Sequence, residues 1–114
     1  MLFERQAEYF DDTFDAPFMV VTFPVNDSVK QKIPAVVDVD GTARIQSVHP
    51  QTNPLYNCLI GEFAKASSVP MLINTSLNIN EQPMVNSPLE ALHTYFCSGL
   101  DVLFIGRYRL SKSD

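Results

Sequence analysis

The chain is poor in the features that most often announce a function. It has two cysteines, Cys58 and Cys97, which form no C-x-x-C and have no histidine at the usual metal spacing. Both fall in helical patterns and read as buried free thiols. Eight basic residues are scattered among thirteen acidic ones, for a net charge of −5 and a pI of about 4.8. Binding to a nucleic-acid backbone needs a clustered cationic face, so no nucleic-acid partner is expected. No stretch reaches the ~18 apolar residues of a membrane span, and no membrane partner is expected. Glu4, Glu8, Asp11 and Asp12 interrupt any hydrophobic region near the start, against a signal peptide. A reducing cytoplasm is the default location. The phosphate-loop pattern G-x-x-x-x-G-K-[ST], the dinucleotide pattern G-x-G-x-x-G and the nucleophile pattern G-x-S-x-G are all missing. There is no internal repeat or low-complexity stretch.

What is present suits one folded domain. A length of 114 residues leaves no room for two, and an apolar share of 46% is ordinary for a globular protein. Such a chain buries roughly 65% of the surface its unfolded form exposes, enough for one core.

The spacing of apolar residues predicts the elements. Phe3, Ala7 and Phe10 give weak helical spacing. Residues 18–25 form a continuous apolar run that reads as a strand covered on both faces. Residues 35–48 read as a hairpin around Asp40-Gly41, with Thr42, Arg44, Gln46 and Val48 on one face and Ala43, Ile45 and Ser47 on the other. Residues 53–66 read as a helix with Asn53 as cap, Pro54 in its first turn and Ser67-Ser68 at its end. Leu55, Leu59, Phe63 and Ala66, with Cys58 alongside, are its predicted buried stripe. Residues 69–73 read as a short buried strand running into Asn74-Thr75-Ser76-Leu77-Asn78. Ser87-Pro88-Leu89-Glu90 matches a capping box, opening a helix that buries Leu89, Leu92, Tyr95 and Phe96 and stops at Gly99. Residues 102–105 read as a last strand, followed by a polar stretch from Arg107. Strands joined by both a hairpin and helices predict an α/β (α+β) fold: a mixed twisted sheet with flanking helices.

The chemistry concentrates at two places. In an extended chain Asn74, Ser76 and Asn78 share one face, roughly 6.6 Å apart. Their amides and hydroxyl need partners, which either a ligand or a side-chain-bonded turn supplies. Arg44 sits on the polar face of its strand, where it suits phosphate or carboxylate, or forms a surface ion pair. His49 precedes Pro50 at the end of that strand and is either a site or a loop residue. His93 reads as a surface or packing residue.

These same residues carry a family resemblance. The run Asp40-Gly41-Thr42-Ala43-Arg44-Ile45-Gln46-Ser47-Val48 is similar to D-G-T-A-R-x-Q-x-V, and Leu72-Ile73-Asn74-Thr75-Ser76-Leu77-Asn78 to L-[LI]-N-T-S-F-N. Both motifs belong to the carbamoyltransferase C-terminal family, the nodulation-protein-U and antibiotic O-carbamoyltransferase group. The likeness continues through Ala7-Glu8-Tyr9-Phe10, Ala16-Pro17-Phe18-Met19, Pro83-Met84-Val85 and Ser87-Pro88-Leu89-Glu90-Ala91-Leu92, and closes on Gly99-Leu100-Asp101 and Gly106.

The resemblance implies a partial YrdC-like domain, with residues 1–114 as its C-terminal portion. It implies an ATP-dependent O-carbamoyltransferase that forms carbamoyl adenylate from carbamoyl phosphate and ATP with magnesium. A separate preceding domain, with its own metal, then passes the carbamoyl group to a hydroxyl-bearing small-molecule acceptor. By position Arg44 would meet phosphate or carbamoyl oxygens as the catalytic residue, and Ser76 and Asn78 the nucleotide. Asn74 and Thr75 would shape that site. Adenylate formation runs on positioning and charge stabilisation, so the lack of a nucleophile does not oppose it.

The chain departs from the family at Asp38 in place of His, at Leu77 in place of Phe, and at Glu81-Gln82-Pro83 in place of Gly-Glu-Pro. The family's arginine-rich E-F-G-P-R-A-L-G-x-R-S segment is not in it. The chain alone is therefore expected to be inactive and to pack on an N-terminal domain, and a homodimer is also compatible with the sequence. The alternatives are a non-catalytic nucleotide- or anion-binding module and an RNA-associated tRNA-modification factor. Acidic charge and the D-G-T-A-R match oppose the latter.

Overall fold

The computed structural model of the protein describes residues 1–79 and 81–112. The chain is α+β, with helices beside small antiparallel sheets. It divides into two compact units, Met1–Ile73 and Asn74–Asp114.

The first unit opens with a 3-10 turn, Phe3–Glu8, whose predicted helical spacing is too short to propagate an α-helix. Strand β1, Thr22–Pro24, pairs antiparallel with β2, Thr42–Arg44, in the register Thr22↔Arg44, Phe23↔Ala43 and Pro24↔Thr42. Phe23 and Ala43 face a core that also holds Tyr9, Phe10, Val25 and Ile45.

Only the C-terminal part of the predicted 18–25 strand is ladder, and it is covered on one face; Phe18 and Val20 are exposed. The predicted hairpin shrinks to one rung, in which Asp38 N–H donates to Thr42 O at 2.8 Å and Gly41 N–H to Asp38 O at 2.9 Å. Upstream, Pro34–Val36 takes a 3-10 turn, because Pro34 has no N–H for a ladder. The strand after the turn finds β1 instead. Its alternation is as the sequence predicts for one side: Ala43, Ile45 and Ser47 are buried and Arg44 is exposed. Val48, expected on the polar face, is also buried, since it bridges Leu2 and packs with Ile60.

Helix α1 spans Pro54–Ser67, with the Asn53 side chain accepting from Tyr56 N–H and Ser68 closing it in the left-handed region at φ 63°. Its buried residue is Ile60, with Tyr56 beside it. The predicted stripe of Leu55, Leu59 and Phe63 is exposed, as is Cys58, so that helix face was assigned wrongly. Both faces of α1 carry apolar residues, and spacing alone cannot say which one this unit covers. Residues 69–73 form no ladder. Pro70 lacks a donor, and the segment is held by Leu2 N–H on Pro70 O at 3.1 Å.

In the second unit, α2 spans Pro88–Phe96, and the Ser87 hydroxyl accepts from Glu90 N–H at 3.3 Å. Glu90 returns the bond to Asn86 N–H at 2.7 Å, one residue before the expected position. Ala91, Thr94 and Tyr95 are its buried residues, whereas Leu89 and Phe96 are exposed. The helix stops at Cys97, two residues before Gly99, and Cys97 is exposed rather than buried.

Strand β3, Val102–Ile105, lies where the sequence places it. The stretch after it, predicted only as polar, contains β4, Tyr108–Ser111, in a tight hairpin with β3. Gly106 takes the positive φ that turn requires, at 55°. Ser113 and Asp114 lie outside the described residues. Tyr95, Ala91 and Leu103 form the core of this unit, and the Tyr95 hydroxyl donates to Asp101 O at 3.1 Å.

Candidate functional site

The arginine lies in the first unit. The Asp40-Gly41 turn launches β2. Asp40 Oδ1 accepts from Thr42 N–H at 3.0 Å and from the Thr42 hydroxyl at 2.8 Å, and these bonds hold its carboxyl below the usual range. Gly41 sits at φ +82°, and a Cβ there would come within 3.0 Å of Lys30 Nζ. The positive φ favours glycine, while the Lys30 side chain could swing away from a Cβ. Three residues on, the pleat sends the Arg44 side chain to the exposed face. Among the described residues no hydrogen bond or ion pair engages its guanidinium, so its five donors remain available to an anion. Asp38 is an exposed carboxylate at the start of the same turn.

His49 lies in this unit too. Its Nε2 is 2.8 Å from Asp15 Oδ1 and its ring centroid 4.2 Å from that of Phe3. It has an oriented ion partner and a stacking partner, as a loop-packing histidine does.

The second unit begins at Asn74. Asn74, Thr75, Ser76 and Asn78 are all exposed, while Leu77 is half-buried against the Ala91–Tyr95–Leu103 cluster. Leu77 alone of this run packs; Thr75, which alternation would put on the same side, is exposed, and the run belongs to no ladder. Leu77 O accepts from Val85 N–H at 3.0 Å, which ties the run to the segment before α2. The Ser76 hydroxyl donates to Asn78 Oδ1, and Asn78 Nδ2 donates to Gln82 O at 3.1 Å. Ser76 and Asn78 are thus brought together and braced, in the manner of a turn held by side-chain bonds. They still present the Ser76 lone pairs and the second amide hydrogen of Asn78 to solvent. Arg44 belongs to the first unit.

Glu81 sits at φ 68°, in the left-handed region, inside a turn closed by Gln82 N–H on Ile79 O at 3.0 Å.

Beyond this turn an open groove of about 770 Å³ runs between residues 82–86 and the Glu90, His93 and Thr94 side of α2. His93 Nε2 stands 3.7 Å from Cys97 Sγ at the end of that helix. The sequence reading missed this pair; its signal was the four-residue spacing of His93 and Cys97 on one helix face.

The exposed arginine after the Asp40-Gly41 turn and the braced Ser76–Asn78 pair thus lie in different units, each at the exposed surface of its own. The family follows from comparison with known proteins. Residues 1–112 match the family described as Carbamoyltransferase C-terminus, and the chain belongs to it. It is 39% identical over 115 residues to nodulation protein NolNO of Sinorhizobium fredii, covering 98% of this chain and 17% of that protein. It is 39% identical over 112 residues to nodulation protein NolO of Bradyrhizobium diazoefficiens, covering 96% and 20%. It is 36% identical over 83 residues to 3'-hydroxymethylcephem-O-carbamoyltransferase of Amycolatopsis lactamdurans, covering 73% and 16%. The chain thus spans no more than 20% of the length of these curated relatives. Among the described residues no helix is long and apolar enough to cross a membrane.

Proposed function

We propose that this chain is the C-terminal portion of a YrdC-like carbamoyltransferase domain and serves carbamoyl transfer to a hydroxyl-bearing small molecule. In this reading it helps to bind carbamoyl phosphate and ATP while carbamoyl adenylate forms. The balance is carbamoyl phosphate, ATP and water giving carbamoyl adenylate, pyrophosphate and inorganic phosphate. The observation that carries the reading is the family match over residues 1–112 together with an exposed Arg44 that no hydrogen bond or ion pair engages among the described residues.

The residues present fit the substrates. The Arg44 guanidinium supplies a planar fork for phosphate or carbamoyl oxygens and stabilises charge that builds there. Asn78 offers its free amide hydrogen to a nucleotide oxygen, and Ser76 offers its hydroxyl on rotation. Asn74 and Thr75 hold the approach to that pair. Magnesium would arrive with the ATP phosphates and neutralise part of their charge. Asp38 is the carboxylate of this chain that would meet it. No side chain needs to act as a nucleophile; the chain's own work is binding and orientation.

The test compares this chain with a longer polypeptide carrying the arginine-rich segment, measuring carbamoyl-phosphate-dependent pyrophosphate release from ATP. The expected result is release by the longer polypeptide alone. Arg44→Ala in it should lower kcat/KM at least 100-fold, about the ~2.7 kcal/mol of one preorganised donor to a developing charge, with its circular dichroism unchanged. Turnover by the 114-residue chain alone would sink the proposed division of labour. Nucleotide binding without turnover in both would favour a non-catalytic anion-binding module.

A further inference from the structure

We infer that the backbone edge of β2 at Arg44 takes a parallel β-strand, supplied by the polypeptide joined directly to Met1 in a longer protein. This rests on the reading of the chain as the C-terminal portion of a larger domain. The edge emerges from the side to which each residue of 41–48 turns its backbone groups. Gly41 O accepts from Val25 N–H at 3.0 Å, Ala43 pairs with Phe23 of β1, and Ser47 N–H donates to Ala16 O at 2.8 Å. These odd-numbered residues serve one side. Thr42 O accepts from Asp38 N–H at 2.8 Å, and Gln46 O from the Met1 ammonium at 2.7 Å. Val48 N–H donates to Met1 O at 2.9 Å, and Val48 O accepts from Phe3 N–H at 3.3 Å. The even-numbered residues serve the opposite side. Alternation puts the Arg44 N–H and C=O on that second side, between Thr42 and Gln46, whose carbonyls already have partners there. Outside the β1–β2 ladder, no backbone hydrogen bond reaches Arg44 among the described residues.

Met1 is already aligned with the strand that would fill this gap. Leu2 bridges Val48 in parallel, and Leu2 N–H turns the other way, to Pro70 O at 3.1 Å. The stretch therefore has a partner on each side, as an interior strand does. Met1 is 6% exposed, and its amine occupies the place of a ladder N–H. A peptide amide serves there with no charge to desolvate, whereas burial holds the ammonium below its ordinary range. Continued upstream, the register sets the third residue before Met1 beside Arg44, roughly 4.8 Å away and on the same face. The second residue before Met1 then donates to Arg44 O, and the fourth accepts from Arg44 N–H. Such pairing fixes the Arg44 backbone and leads the preceding segment to the face that carries the guanidinium. The curated relatives have the length to supply it, since this chain spans no more than 20% of them.

The experiment measures hydrogen exchange at the Arg44 amide by NMR in three proteins. One is the 114-residue chain with an acetylated amino terminus, which loses the charge but gains no strand. The second carries the extension Thr-Val-Thr-Val-Thr before Met1, β-formers whose valines fall on the buried face. The third is the longer polypeptide with the arginine-rich segment. Exchange should be at least tenfold slower in the second and third than in the first. Through-space contacts should join the Arg44 amide to the third and fourth residues before Met1. Equal exchange in all three, or slower exchange without those contacts, would overturn the inference. So would protection of the 114-residue chain that grows with its concentration, because a second copy would then occupy the edge. Carbamoyl-phosphate-dependent turnover is read separately. A longer polypeptide that turns over with an unprotected Arg44 amide sinks the strand and leaves the proposed activity; protection without turnover does the reverse.

Discussion

Replacing Ser47 by alanine should damage this chain far more than its single lost oxygen suggests. Ser47 is 4% exposed and lies three residues beyond Arg44. Its hydroxyl donates to Gln6 Oε1 at 2.8 Å and accepts from Ala16 N–H at 2.9 Å. Gln6, 2% exposed, passes the network on through Nε2 to Phe14 O at 2.8 Å. Ser47→Ala strands two buried groups, Ala16 N–H and Gln6 Oε1. At about 1–3 kcal/mol for each unsatisfied group, the cost is at least about 2 kcal/mol. Gln6→Leu likewise strands the Ser47 hydroxyl and Phe14 O. The double variant strands only Ala16 N–H and Phe14 O. The two single costs should therefore exceed the double by about 2 kcal/mol, within the range seen for groups sharing one network. Urea unfolding followed by circular dichroism measures the cycle. Hydrogen exchange at the Ala16 amide should accelerate about 30-fold in Ser47→Ala, the factor that ~2 kcal/mol implies. A Ser47→Ala cost under about 0.5 kcal/mol, the range of ordinary surface substitutions, would refute the network as a source of stability.

Two further predictions concern backbone and pH. Glu81→Gly should stabilise the second unit by about 1 kcal/mol, since an L-residue at φ 68° pays a left-handed penalty that glycine escapes; slower hydrogen exchange at the Gln82 amide is the readout, and an unchanged rate would count against it. In the 114-residue chain the Met1 ammonium donates to Gln46 O at 2.7 Å, and burial lowers the amine from its ordinary 8.0 to about 6. The folded form then sheds a proton that the unfolded form keeps between those values. Stability should therefore rise with pH from 6 to 8, by on the order of 2 kcal/mol, and level off above. Amino-terminal acetylation should flatten that slope in a urea series measured at each pH.

Local chemistry made several features readable without coordinates. Asn53 and Ser87 start helices where their side chains cap the first turn, and Pro54 and Pro88 sit where a missing N–H costs nothing. Alternation about Ala43 and Ile45 sorts Arg44 to the outside. Leu77 packs and its polar neighbours do not. Glu81 shows the same logic in reverse: the glycine that the resemblance led one to expect at that place would suit the left-handed backbone found there. The sequence also carries, through its motifs, the membership of the carbamoyltransferase C-terminus family.

Burial and pairing were decided elsewhere. Leu55, Leu59 and Phe63 have the spacing of a core stripe, yet α1 turns Ile60 inward, since Leu2 and Val48 from distant parts of the chain supply the surface it meets. The strand after Asp40-Gly41 pairs with residues about twenty positions earlier rather than across its own turn. Such partners are set by non-local contacts that no short window contains. The same holds for chemistry. Sequence alone named Arg44, Ser76 and Asn78 through their motif. Only the folded helix placed His93 against Cys97, because a distance between side chains is a property of three-dimensional packing, while residue type and spacing fix no more than the face on which two groups can meet.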